Sequence, residues 1–146
     1  MRVYVPVALS DLPVALSGRW EPASGYAVTG RLLDITSEDD EEVLAEQVRD
    51  IAAADAVVEL RSARRAVIVV DYARADVAPV PNGHPAAVSL VGRVDPSTIA
   101  CAFVDEDDAA GDAAAAAKGD ADALERLEMR DLLWFDATEI DTIRVP

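Results

Sequence analysis

The sequence predicts an α/β (α+β) chain folded as a two-layer sandwich, with about six strands and two main helices. Three observations predict it. Ala66-Val-Ile-Val-Val70 is an unbroken apolar run, the pattern of a central strand buried on both faces. Between Ser37 and Leu60, the residues Leu44, Val48, Ile51 and Val58 form an apolar stripe at helical spacing. Short β-branched or apolar runs recur before and after these two segments, separated by Gly, Pro, Asn and Asp punctuation.

The elements follow in order. Arg2-Val-Tyr-Val-Pro-Val-Ala8 is β-branched and short, hence a strand, and Pro6 lacks the amide hydrogen of a ladder donor. Ser10 or Asp11 caps a short helical turn with Pro13 in its first turn and Gly18 as its stop. Gly25 to Gly30 reads as a second strand. Ser37 is the expected cap of the long helix, with Asp39, Asp40, Glu41 and Glu42 at the positive end of its dipole. Arg61, Arg64 and Arg65 close that segment near the negative end. Residues 76–85 carry three prolines and Pro-Asn-Gly, so they read as a connector. Ala87 to Val94 is the next strand, Asp95-Pro-Ser-Thr a capped turn, and Ala100 to Val104 another strand. An alanine-rich stretch follows Asp105-Glu-Asp-Asp108, then a helix capped by Asp120 or Asp122 and carrying Leu124 and Leu127. Leu132-Leu-Trp-Phe-Asp136 is the last strand.

The chain is one domain's worth, 146 residues. Strand, turn, strand, acid-capped helix and strand occur in that order twice, which divides it into pseudo-repeat halves 1–75 and 86–146 joined by the connector 76–85. A duplication and an ordinary αβ order account for this equally well.

With Lys+Arg 13 against Asp+Glu 28, the formal net charge is -15, which disfavours nucleic acid as the main partner, and none is expected. The single cysteine, Cys101, rules out an internal disulfide and a Cys-based zinc site. No apolar run approaches the roughly 18 residues of a membrane span, and the N-terminus lacks a signal-peptide core. A cytoplasmic location with no membrane contact is the expectation.

Met1-Arg-Val-Tyr-Val-Pro6, together with Gly119-Asp-Ala-Asp-Ala-Leu and Leu132-Leu-Trp-Phe135, resembles a family of short acidic actinobacterial proteins of unknown function. The resemblance covers about a third of the chain, at its two ends. It implies an actinobacterial origin, in keeping with the arginine and alanine bias, and it implies no activity, cofactor or catalytic residue.

No set of residues names a reaction. His84 is the only histidine, in a turn-rich segment, and there is no Gly-x-Ser-x-Gly elbow and no phosphate-binding glycine loop. Asp105, Glu106, Asp107 and Asp108 are the metal-ligating candidates, but their spacing is not that of a calcium loop, and helix-start electrostatics explains them as well. Arg61, Arg64 and Arg65 are the anion-binding candidates. Leu132 and Trp134 must share one face of their strand, and Leu133 and Phe135 the other, so both faces need cover. A helix layer covers one face, and the connector or another subunit is the expected cover of the other, which places Trp134 or Phe135 at an interface; the alternative is that helices of the same chain cover both faces. The preferred reading is a small non-enzymatic binding or interaction protein that self-associates, with no cofactor. A divalent-metal-dependent enzyme using acidic residues, or an anion-binding module using the arginine cluster, are the alternatives.

Overall fold

The structure is a computed structural model that describes residues 1–146. Seven strands form one antiparallel sheet: β1 (Arg2–Pro6), β2 (Ser24–Tyr26), β3 (Ala66–Asp71), β4 (Val77–Pro79), β5 (Ala87–Leu90), β6 (Ile99–Val104) and β7 (Leu133–Asp136), in the spatial order β4-β5-β2-β1-β3-β6-β7. Five helices accompany it: α1 (Leu12–Ala15), α2 (Gly30–Ile35), α3 (Glu41–Val58), α4 (Ala110–Ala117) and α5 (Ala121–Glu128). No helix is long and apolar enough to cross a membrane.

β3 lies between β1 and β6, and Val67, Ile68, Val69 and Val70 are all buried, as the apolar run predicts. Alternation then sorts the sheet into two faces. Tyr4, Tyr26, Val67 and Phe103 turn to one side, against Ala52 and Ala53 of α3. α4 and α5 flank α3, packing small side chains (Ala109, Ala113, Ala116, Ala123) and Leu127 against Val57. Val3, Val5, Ile68, Val70 and Ala102 face the other way, into the larger core. That second face is closed by Leu9, Leu12 and Ala15 near the N-terminus and by Ile140 and Ile143 near the C-terminus, and the 76–85 connector adds only Val77, which packs half-buried against the same core.

The remaining differences are local. The strand count is seven, not about six, because the proline-rich connector holds β4. Proline is tolerated there because β4 is an edge strand, whose outer amides need no ladder partner. The strand expected at Gly25–Gly30 stops at Tyr26, and Thr29 caps α2 by accepting the Leu32 N–H. α3 starts later than Ser37. Asp40 is its cap, accepting the Glu42 N–H, while Thr36 Oγ1 accepts the Glu38 N–H in the preceding turn. Asp120, as expected, caps α5. In the first half β1 lies between β2 and β3, whereas in the second β6 pairs with β7 and β5 lies across the sheet beside β2. The shared order of elements is therefore not a shared pairing.

Candidate functional site

The chain leaves α3 through Arg61, whose φ of 55° reverses its direction and leaves its side chain exposed. Arg64 and Arg65 follow as β3 begins, and both turn inward. Arg65 is fully enclosed and donates Nε and Nη2 to the carboxylate of Asp105, at 2.9 and 2.8 Å. Arg64 donates to the carbonyls of Asp105 and Arg144, both at 2.8 Å, and reaches Asp107 Oδ1 at 3.1 Å. The guanidiniums of two of the three expected anion ligands thus already have carboxylate and carbonyl partners inside the fold.

The acidic run is divided the same way. Asp105 is buried against Arg65, Asp107 meets Arg64, and Asp108 meets Arg130 at 2.8 Å, while Glu106 is exposed. Asp105 departs from the helix start read from the sequence, because it follows directly on β6 with its side chain turned inward. No three His, Cys, Asp or Glu side chains converge where they could hold a metal ion. His84 Nδ1 accepts the Ala86 N–H, which ties the imidazole into its own turn. Cys101 is buried in β6, and burial pushes its thiol above the usual range, so it sits as a small apolar side chain.

The C-terminal strand is where an interaction surface can be built. β7 is the outer strand beside β6 and has no neighbour on its far side. Its register pairs Phe103 with Trp134 and Ala102 with Phe135. Phe135 packs on the larger core. Trp134 points to the opposite face, beside Phe103, and is 58% exposed. Leu133 and Met129, on the same short stretch, are 42% and 87% exposed.

The backbone polarity of the edge follows from the ladder. Asp105 donates its N–H to Arg65 O, so alternate residues of β6 bond to β3 and the others bond to β7. Val104 and Ala102 therefore bond to Leu133 and Phe135. Asp136 N–H is turned away from β6 and goes to Glu139 Oε1 at 3.1 Å. Trp134, two residues earlier, faces the same way, with its N–H and C=O pointing off the sheet. The signal for this in the sequence was the four-residue apolar block, which demanded cover on both faces. What the sequence did not carry was the position of β7 at an edge.

No curated protein and no solved structure matches the chain. A family model does match, over residues 1–143: the chain belongs to the family of unknown function DUF6912.

Proposed function

We propose that this is a small, non-enzymatic cytoplasmic interaction protein of actinobacterial origin that pairs with a second copy of itself along β7. The observation that carries the reading is Trp134, 58% exposed on an edge strand with no neighbour. An unpaired edge beside exposed apolar side chains is a template for strand addition. A two-fold axis through Trp134 sets Leu133 opposite Phe135 of the other copy, and Leu132 opposite Asp136, so no carboxylate faces a carboxylate in that register. The sheet's other edge is blunted. β4 is three residues long and ends at Pro79, and Pro81 follows. Pairing along β7 therefore closes at two copies and does not propagate into a fibre.

Charge gives the test its direction. Each copy carries a formal charge of -15, so two copies repel, and added salt screens the repulsion and tightens the dimer. A basic protein partner on the same edge would be weakened by salt. Light scattering and sedimentation, across micromolar to millimolar protein at low and high salt, should show a monomer–dimer equilibrium that salt favours. Trp134→Lys, which sets a cation on the edge without touching the core, should abolish it. A monomer under all these conditions, or a dimer indifferent to Trp134→Lys, overturns the reading.

A further inference from the structure

A cavity of about 550 Å³ lies far from β7 in sequence and opens between the start of β1, α2, the first turn of α3 and the turn after β3. Its polar lining is Arg2, Tyr4, Glu41 and Arg74, and its apolar lining includes Val28 and Leu33. That volume is in the range of small-ligand pockets, which pair an apolar wall with a few fixed polar groups.

The charge of the lining is unlike that of the protein. Acids outnumber bases 28 to 13 along the chain, yet the lining holds two arginines and one glutamate, with Arg2 paired to Asp71 beside it and Arg74 left without a carboxylate partner. Arg74 is exposed, and its guanidinium makes no ion pair with any carboxylate and no hydrogen bond within the chain. Arg2 donates Nε and Nη2 to Asp71 at 3.1 and 3.2 Å, which fixes the guanidinium plane and leaves Nη1 free. The Tyr4 hydroxyl is half-buried and makes no hydrogen bond within the chain. Burial pushes its pKa up, so it stays protonated and is able to donate. Leu33, 46% exposed on α2, supplies apolar surface that nothing in the chain covers.

We propose that this cleft binds a small monocarboxylate with an apolar body. The carboxylate lies between Arg74 and Arg2 Nη1 and accepts from the Tyr4 hydroxyl, and the body lies along Val28 and Leu33. Planar, forked arginine donors suit a carboxylate, and their hydrogen bonds to it are charge-assisted. Glu41 on the same wall sets the limit on ligand charge, since it repels a polyanion such as a nucleoside triphosphate. The proposal is independent of pairing along β7, and either can hold without the other.

The probes are octanoate, its neutral counterpart octanamide, and inorganic phosphate. Each is titrated into the full chain, with thermal stability and amide chemical shifts as readouts. Octanoate should raise the melting temperature, because a ligand that binds only the folded state must do so. It should shift the amides of Tyr4, Leu33 and Arg74. Octanamide and phosphate should each bind at least tenfold more weakly, since one lacks the charge and the other the body. Arg74→Gln, an exposed substitution that leaves the fold intact, should weaken octanoate at least tenfold, and Tyr4→Phe should weaken it by a smaller factor. Absence of octanoate binding, octanamide or phosphate binding equally well, shifts that map elsewhere, or an unchanged affinity in Arg74→Gln would each overturn the proposal.

Discussion

Arg65 and Asp105 are joined three times over: the carboxylate accepts from Nε and Nη2 of the guanidinium and from the main-chain N–H of Arg65, at 2.8 to 3.0 Å, with both side chains shut away from water. The pair stands at the junction of β3 and β6, where Asp105 N–H returns a bond to Arg65 O. It fixes the end of one strand to the start of the other. A second bond from Nη2 to Arg130 O ties the junction to the turn before β7.

Asp105→Ala leaves a buried guanidinium and a buried amide without their acceptor. Such a loss costs about 3–5 kcal/mol, enough to move a urea midpoint far to lower denaturant. Replacing both partners by apolar residues of similar volume, Arg65→Met with Asp105→Leu, should recover part of that, since no charge is then stranded and only the residue 65 amide and the Arg130 carbonyl lose a partner. If the single and double variants unfold at the same urea concentration, the stranded charge is not the cause.

Ile68 is fully buried at the middle of β3 and belongs to the larger core. Ile68→Ala removes its methyl groups from a packed site between β1 and β6. The expected cost is about 2–5 kcal/mol, the sum of lost transfer energy and an incompletely collapsed cavity, read as a lower denaturation midpoint at an unchanged slope.

Gly25 lies in β2 where β1 comes close. A Cβ there would sit 2.8 Å from Val3 Cγ1 and 3.1 Å from Tyr4 O. The second neighbour is backbone and cannot swing aside. Gly25→Ala should therefore destabilise by about 1–3 kcal/mol, as overpacking does, despite alanine's smaller loss of chain entropy on folding. A neutral result in equilibrium denaturation would mean that β1 and β2 can part without cost.

The elements that the sequence made legible are those whose pattern is long relative to its period. α3 runs for 18 residues and buries Leu44 and Val48 of the predicted stripe, although Ala52, Ala53, Ala56 and Val57, not Ile51 and the exposed Val58, complete its buried face; β3 is apolar up to Asp71, so neither element depends on its neighbours to be read. β4 spans three residues and α2 six, too few for a period to emerge, and the prolines beside β4 mask it. The sites fail for a different reason. Asp105 looks like the three acids that follow it, and only the inward turn at the end of β6 selects it for burial. Arg65 likewise differs from Arg61 only by lying at the entry to β3 instead of in the reversal before it. The cleft draws Arg2, Leu33, Glu41 and Arg74 from separate segments, and no local spacing brings them together.

All three tyrosines have their pKa raised by burial, which comes first among the causes in each case. Tyr26 is held further by its hydrogen bond to Asp55. Tyr72, whose buried hydroxyl has no partner in the chain, is pushed up to about 12. In the unfolded chain each ionises near its ordinary value of about 10. The unfolded state thus loses its phenolic protons first, and stability falls as pH rises above that value. Absorbance near the phenolate band should stay low for the native chain at about pH 10, then rise together with loss of structure. An early rise in phenolate with the fold intact would contradict the burial of these rings.

Asp136 ends β7 and caps the turn that follows it. Its Oδ2 accepts from the Thr138 hydroxyl at 2.6 Å and from the Thr138 N–H at 3.1 Å, and Glu139 accepts the Asp136 N–H in return. The Thr138 hydroxyl, the larger cause, and the Thr138 amide hold the carboxyl below its usual range. These donors favour the ionised form, so the folded state gives up this proton at lower pH than the unfolded chain does. The stabilisation is then fully present above the unfolded value of about 4 and is lost as pH falls through the lower folded value. Asp136→Ala removes the acceptor at every pH. The gap in melting temperature between the two proteins should be widest near neutrality, narrow below pH of about 4, and close in stronger acid. The capped turn carries Ile140, which closes the core face under Phe135. The variant should therefore also loosen β7, seen as faster amide exchange at Leu133 and Phe135. A gap that stays constant down to strong acid would show that the side chain acts through packing, not through its charge.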